Sequence, residues 1–543
     1  HLPISLDGVQ EGDFAMVLGY PGGTDRYLSS FGVKLAIELY NPSVVDVREA
    51  KLNILNDYMR ADRNISIMYA SKKARISNYW KYYIGQTRGL KRLRVYDKKS
   101  QLENAFSQFV ASSENNKKIY GNVLLDMERS YDEIEKMTLS RIYLNEAAWG
   151  GPSFVRLARR SEALLRALES GTDSLIVSAK KTFQDEVAGS FKEYKKEIDK
   201  DIFVKMMDMY FNNIPKEQLP QIIIDMEAKY KGNFQKWGDV LYEKSIFVDQ
   251  KKLTNFLQNP SVKRIKKDPA YIIQKSILDN YFNKTLPAIS KPRESLAVSN
   301  RLFIDGLRKM YPQKVFYPDA NFTMRLTYGS VGEYSPGNAM KYDFVTTLDG
   351  VMEKLDNDDP EFVVPQKLVE LYDNKDYGAY ANDDGEINVC FISNNDITGG
   401  NSGSPVINAR GELIGCAFDG NWEAMSGDIA FEHELQRTIS VDVRYILFII
   451  DQFANARHII DELTLVKMSE EEKNKLEQEE TKRFINDMRG LIKEFPEIID
   501  GVKNETINEM SFSEAFLKAR KKNSNNFVWK GKTYTTDIKS VAN

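Results

Sequence analysis

A chain of 543 residues is too long to be organised around one compact core, so two or three domains are expected. Its composition, 42% hydrophobic and 28% charged, excludes an intrinsically disordered or fibrous protein. With a formal charge of −3 and its Lys and Arg interleaved among Asp and Glu, it lacks the clustered basic excess that nucleic-acid binding demands.

The chain opens "HLPISLDG", with neither a methionine nor the basic and apolar regions of a secretory leader, so any targeting peptide is expected outside this sequence. Over 4–19, "ISLDGVQEGDFAMVLG" predicts two short strands about a polar turn, closed by "YPGGT". Beyond about residue 35, Glu, Lys, Arg, Leu and Ala dominate and apolar residues recur at helical spacing. In "SFVRLARRSEALLRALES" the residues Phe154, Leu157, Leu164, Leu165 and Leu168 share one face, which predicts a single amphipathic helix with Ser153 available as its N-cap. The same pattern fills "YDEIEKMTLSRIYLNEAAW" and "VSAKKTFQDEVAGSFKEYKKEIDKDIFVKMMDMYF", with a break at "NNIPKEQLP". Residues 35–318 therefore read as a helical domain.

Alternation with a period of two returns after "YPDAN", in "FTMRLTYGSVGEY", "INVCFIS", "SPVIN" and "ELIGCAF". A helical segment bracketed by strands predicts an insertion into one β-domain, whose parts are 1–34 and 319–466. "VRYILFIIDQFANARHIIDELTLV" predicts a long terminal helix; its apolar run at 444–453 is about half a membrane span and contains Asp451, so no transmembrane segment is expected. Residues 467–543 read as a charged helical tail, with "FVWKGKTYTTDI" a candidate hairpin about Lys530 and Gly531. Cys390 and Cys416 fall on strands read as neighbours, where two buried free thiols are expected in preference to a disulfide.

Between two apolar runs lies "DITGGNSGSPVINARGELIG", residues 396–415. A serine nucleophile in acyl transfer needs an exposed side chain and backbone N–H groups aimed at a developing oxyanion, which demands a tight glycine-rich turn. "GGNSGSP" supplies these elements: Ser402 is the expected nucleophile, and the amides of Gly400 and Ser402 are the expected oxyanion donors. Gly399 and Gly403 would tolerate strained dihedrals, and Pro405 would fix the way into the next strand. Ser404 competes with Ser402 for the role. The bland alternative is a hairpin built from common turn residues. No metal, phosphate or cofactor motif accompanies it: the sequence has no "HExxH", no "GxxxxGK[ST]" and no Cys/His cluster at ligand spacing.

The loop resembles those of chymotrypsin-fold proteases of the HtrA type. More particular are "FDGNWEAMSGDI" at 418–429, "YPDANFTMRLTYG" and "SNYWKYYIG", which resemble the bacterial dipeptidyl-peptidase 7 and dipeptidyl-peptidase 11 family over about residues 1–466. The resemblance implies an α+β multidomain fold, a chymotrypsin-like double β-barrel with a large α-helical cap domain inserted, the first barrel being largely missing from this chain. It implies release of dipeptides from free N-termini by a Ser-His-Asp triad. Carried over by residue, Ser402 is the nucleophile, Gly400 and Ser402 form the oxyanion hole, and Asp419 with Asn78 holds the substrate's α-ammonium; Phe418 and Gly420 complete the substrate-binding set. An Arg in place of Gly420 would pair with acidic side chains, so Gly420 implies an uncharged pocket with aliphatic or aromatic preference, as in dipeptidyl-peptidase 7. A homodimer in the periplasm or at the outer membrane is implied in the same way. An open-cleft endopeptidase is disfavoured by the nearly 300 residues read as helical beside the site.

A triad also needs a base, and the three histidines, His1, His433 and His458, lie outside the family's His and Asp motifs. His433 reads as a loop residue and His458 as a helical surface residue. Two expectations follow: an enzyme whose first barrel lies upstream of this sequence, or a peptide-binding module that keeps the substrate site without catalysis.

Overall fold

The structure is a computed structural model that describes residues 1–359, 361–469, 471–472, 526–529 and 532–535. The short strands expected near the start are β1 (Ile4–Ser5) and β2 (Phe14–Gly19). In β2 the alternation is complete: Ala15 and Val17 are buried while Phe14 faces out. Helices then occupy the chain from Ser30 to Met310. Their core packs Phe154, Phe203, Trp237 and Tyr242 with Leu and Ile from eight or more helices, the aromatic rings meeting edge to face.

The chain returns to the sheet as β3 (Arg325–Ser330), β4 (Val345–Thr347), β5 (Asn388–Ser393), β6 (Ser404–Ile407), β7 (Leu413–Gly420) and β8 (Thr438–Asp442). The strand order is β3-β2-β6-β7-β8-β5-β4. A bridge between Val331 and Ser393 joins the ends of β3 and β5, so β3, β2, β6, β7, β8 and β5 close on themselves. Val9, Ala15, Val17, Val331, Phe391, Val406, Ile414 and Ala417 fill the interior of this antiparallel barrel. Because β2 precedes the helices and β3 follows them, and the two pair over six residues, the helical segment is an insertion between adjacent strands. β9 (Leu465–Val466) pairs in parallel with β1 beside the barrel.

Several local expectations are corrected. The stretch predicted as one helix from Ser153 is two, Ser153–Arg160 and Glu162–Ser170, because the Ser161 hydroxyl turns back onto the Ala158 carbonyl (2.6 Å) and the chain bends there. Ser153 is the first helical residue instead of the cap; its amide is donated to the buried Asp199 (2.6 Å) of a neighbouring helix. The long terminal helix is three pieces, a helix Val443–Phe448, a π-turn Ile449–Phe453 and a helix Arg457–Ile460, interrupted where Asn455 takes φ +54°. Cys390 and Cys416 are free and lie two strands apart, each opposite Val441 of the intervening β8. At the expected terminal hairpin, β10 (Asn526–Trp529) and β11 (Lys532–Thr535) pair antiparallel, while Lys530, Gly531 and the tail residues 473–525 and 536–543 lie outside the described residues. Among the described residues no helix is long and apolar enough to cross a membrane.

Candidate active site

The glycine-rich turn lies on the segment joining β5 to β6, and side-chain amides shape it. The Asn395 Nδ2 donates to the carbonyls of Ala15 (3.0 Å) and Thr327 (3.2 Å), which anchors the start of the loop to β2 and β3. Asn401 is buried and staples its own turn: its amide donates to the Thr398 carbonyl (3.0 Å), its Oδ1 accepts from the Thr398 amide (3.2 Å), and its carbonyl accepts from Ser404 (2.9 Å). Gly400 has φ +107°, and a Cβ there would come within 2.5 Å of the Tyr20 carbonyl oxygen. Only glycine fits. Gly403 has φ +88°, whereas Gly399, expected to share the strain, has no positive φ and would admit a Cβ without contact.

Ser402 stands exposed at the tip, its hydroxyl donating to the Phe418 carbonyl at 3.3 Å. Ser404, its competitor, is buried as the first residue of β6. Among the described residues neither the Gly400 nor the Ser402 amide is engaged in a hydrogen bond, which leaves both available to an oxyanion.

The wall beside Ser402 is the end of β7. Pairing with β8 shifts between Ala417 and Asp419, so Phe418 is the extra residue of a bulge and projects outward. Asp419 is exposed and accepts from the Gly420 amide (2.8 Å). A Cβ at Gly420 would lie 3.0 Å from the Ala424 Cβ, so glycine keeps the wall clear. Beyond it, Asn421 fixes the turn Trp422–Ser426 by accepting from the amides of Ala424 and Arg437, both at 3.0 Å.

That turn carries the long helix Arg63–Arg92. The helix approaches closely through glycines: a Cβ at Gly85 would meet Met425 at 2.7 Å, and one at Gly89 would meet Ser426 at 2.6 Å. Tyr82 donates to Asp428 (2.6 Å) and accepts from Gln86 (2.6 Å). Burial holds the Asp428 carboxyl above its ordinary range, partly offset by the Thr398 and Tyr82 hydroxyls. Asn78 lies exposed one turn before Tyr82 on the same helix. The loop, the β7 wall and the Asn78 helix are therefore joined through the 422–428 turn.

His433 sits in a loop with its ring against Phe431 (4.7 Å), and His458 is exposed on Arg457–Ile460. Neither is bonded to Ser402. Among the described residues no three His, Cys, Asp or Glu side chains converge on a metal position.

Residues beyond the expected set also join the site. Asp428 and Tyr82 stand in "SGDI" and "SNYWKYYIG", so their motifs were visible although their contact was not. Arg26 pairs with Asp396, at the start of the segment that leads to Ser402, at 2.7 Å. That partnership spans 370 positions and leaves no local signal.

A closed antiparallel barrel that holds an exposed serine on an Asn-stapled, glycine-bounded turn is an arrangement able to support acyl transfer. The family description Peptidase S46 matches residues 1–465, and the chain belongs to that family. It is 39% identical over 472 residues to a dipeptidyl-peptidase 7 of Phocaeicola vulgatus, covering 86% of this chain and 64% of the relative. It is equally 39% identical over 469 residues to an Asp/Glu-specific dipeptidyl-peptidase of Flavobacterium psychrophilum, again covering 86% and 64%. The chain thus spans somewhat under two-thirds of the length of these relatives. The structure resembles that of Porphyromonas endodontalis DPP11 in complex with the dipeptide Arg-Glu, with TM-score 0.76 and 31% identity, covering 86% of this chain and 66% of the other.

Proposed function

We propose that this chain carries the nucleophile and substrate-recognition half of a serine-type dipeptidyl aminopeptidase. The observation that carries the reading is the turn at Gly400–Ser402: an exposed hydroxyl with two unengaged amides beside it, set against the bulged wall of Phe418, Asp419 and Gly420. In the reaction, the Ser402 hydroxyl attacks the second peptide carbonyl of the substrate, and the Gly400 and Ser402 amides stabilise the oxyanion. Asp419 and Asn78 bind the α-ammonium, so the distance from that anchor to Ser402 measures off two residues. The helical domain acts as a cap against longer N-terminal segments.

Overall identity does not choose a specificity, because a dipeptidyl-peptidase 7 and an Asp/Glu-specific dipeptidyl-peptidase are equally similar to this chain. Gly420 supports one. A glycine there brings no guanidinium to pair with an acidic side chain, and its clear space beside Phe418 suits aliphatic and aromatic residues with modest discrimination.

The general base comes from protein outside this sequence. In support, the outer face of β2 and β3 is unusually apolar: Tyr328 is 69% exposed, Leu326 and Phe14 lie beside it on that face, and Phe322, 72% exposed, adjoins Gly22 next to the nucleophile turn. Such a face beside a catalytic loop suits a second β-domain bearing His and Asp. On this reading the isolated chain binds peptides and hydrolyses them slowly, since an oxyanion hole without its base retains only residual catalysis. A homodimer in the periplasm or at the outer membrane completes the proposal. The competing reading, a non-catalytic module that captures N-termini, uses the same Asp419 and Asn78.

The test is the native protein from its source: its intact mass and N-terminal peptide, and treatment with a dipeptidyl phosphonate followed by peptide mapping. A mass above 62.3 kDa with the label on Ser402 supports the peptidase; a native chain that begins at His1 and takes no label leaves the capture module.

A further inference from the structure

The two connections of the helical domain to the barrel, residues 20–29 and 311–324, are tied to each other. The Thr24 hydroxyl (2.6 Å) and the Arg26 amide (2.8 Å) both donate to Asp319 Oδ1. The Ala320 amide returns to Thr24 Oγ1 (2.9 Å), and the Phe322 amide donates to the Pro21 carbonyl (2.8 Å). The Tyr27 hydroxyl also donates to the Tyr317 carbonyl. One carboxylate thus gathers the outgoing and returning strands of chain into a single clasp.

The clasp also touches the nucleophile segment directly. The Gly22 amide donates to the Gly399 carbonyl (2.6 Å), and the Asp25 amide to the Asp428 carbonyl (2.7 Å). From the same stretch the Arg26 guanidinium reaches Asp396 at 2.7 Å and lies 5.5 Å from the centre of the Phe431 ring. Its Nε is buried without a partner among the described residues, so the side chain holds its place through the Asp396 and Phe431 contacts. Asp396 in turn accepts no other side chain among the described residues, and its amide donates to Thr327 Oγ1 (3.0 Å) of β3.

We infer that Arg26 is a positioning residue: it couples the placement of the helical domain to the conformation of the Asp396–Ser402 segment through Asp396. The function of the coupling rests on Ser402 being the nucleophile, whereas its existence does not. A helical domain seated on substrate sets the clasp, the clasp sets Arg26, and Arg26 fixes the segment that ends in the oxyanion donors. A side chain that merely stabilised the fold would affect the whole barrel.

Hydrogen exchange on the full chain, read by mass spectrometry on peptides spanning 394–405 and on the β7 and β8 strands, separates these cases. In Arg26→Gln, exchange in 394–405 should quicken about tenfold, the combined scale of a half-exposed ion pair and a cation–π contact. The β7 and β8 peptides should change by less than twofold. Arg26→Lys should keep part of the protection, and the exchanged pair Arg26→Asp with Asp396→Arg should restore much of it. Exchange that stays within twofold in 394–405, or that quickens uniformly across the barrel, would overturn the inference. Because no chemistry is read, a failure here leaves the Ser402 labelling result intact, and the converse also holds.

Discussion

In the helical domain Phe203 packs edge-on against Trp237 at 5.0 Å, and Phe154 against Tyr242 at 5.9 Å, inside a core drawn from most of the helices. In the barrel the core is a small set of aliphatic residues with Phe391, and order at the strand ends depends on the amides of Asn395, Asn401 and Asn421. The first region is held by area removed from water and the second by direction. The difference follows from their tasks. On the proposed reading a cap needs only a stable surface, whereas an exposed serine beside two amides unengaged among the described residues has to be held against the tendency of a glycine-rich turn to relax.

Substitutions can break that contrast in graded steps. Phe203→Ala should cost about 3–5 kcal/mol, measured by denaturant unfolding, and should leave the barrel strands protected in hydrogen exchange if the two regions are separately stabilised. Asn395→Ala should cost about 1–3 kcal/mol, because it removes the side-chain amide that ties the loop to the Ala15 and Thr327 carbonyls, and it should loosen the 396–402 segment far more than the helices. Asp428→Asn addresses pH. Burial raises the folded-state pKa of Asp428 from 3.8, so its contribution to stability is full below the unfolded value and is lost as pH rises through the folded one. Melting of the variant against the parent should therefore show Asp428→Asn relatively more stable at pH 7 than at pH 4; the opposite order would remove burial as the dominant influence. Tyr328→Ser, on the outer face of β3, should change stability by less than about 0.5 kcal/mol while reducing binding of a hydrophobic dye.

The candidate nucleophile and the β-helix-β order were legible because each has a local signature. The positive φ expected at Gly403 is found there, whereas the strain expected at Gly399 falls one residue on, at Gly400. The alternation in "FAMVLG" and "INVCFIS" likewise suffices to place β2 and β5. What escaped was decided by distant partners. Nothing near Ser153 reveals that Asp199 will take its amide, and nothing near "VRYILF" reveals that Asn455 will break the helical run before Arg457–Ile460. The strand β8 and the helices Leu348–Glu353 and Gln366–Asp373 were missed because short elements carry too few residues to show a period. Arg26 illustrates the same limit at the site itself, since its partner is set by topology alone.

The most direct measurement is a calorimetric titration of this chain with an aliphatic dipeptide and with its N-acetyl derivative, repeated on Asp419→Asn. The account predicts that the free dipeptide binds at least roughly tenfold more tightly than the acetylated one, the scale of a charge-assisted contact, and that Asp419→Asn removes the difference. Equal binding of the two ligands, or a preference that survives Asp419→Asn, would contradict recognition of the free N-terminus by Asp419.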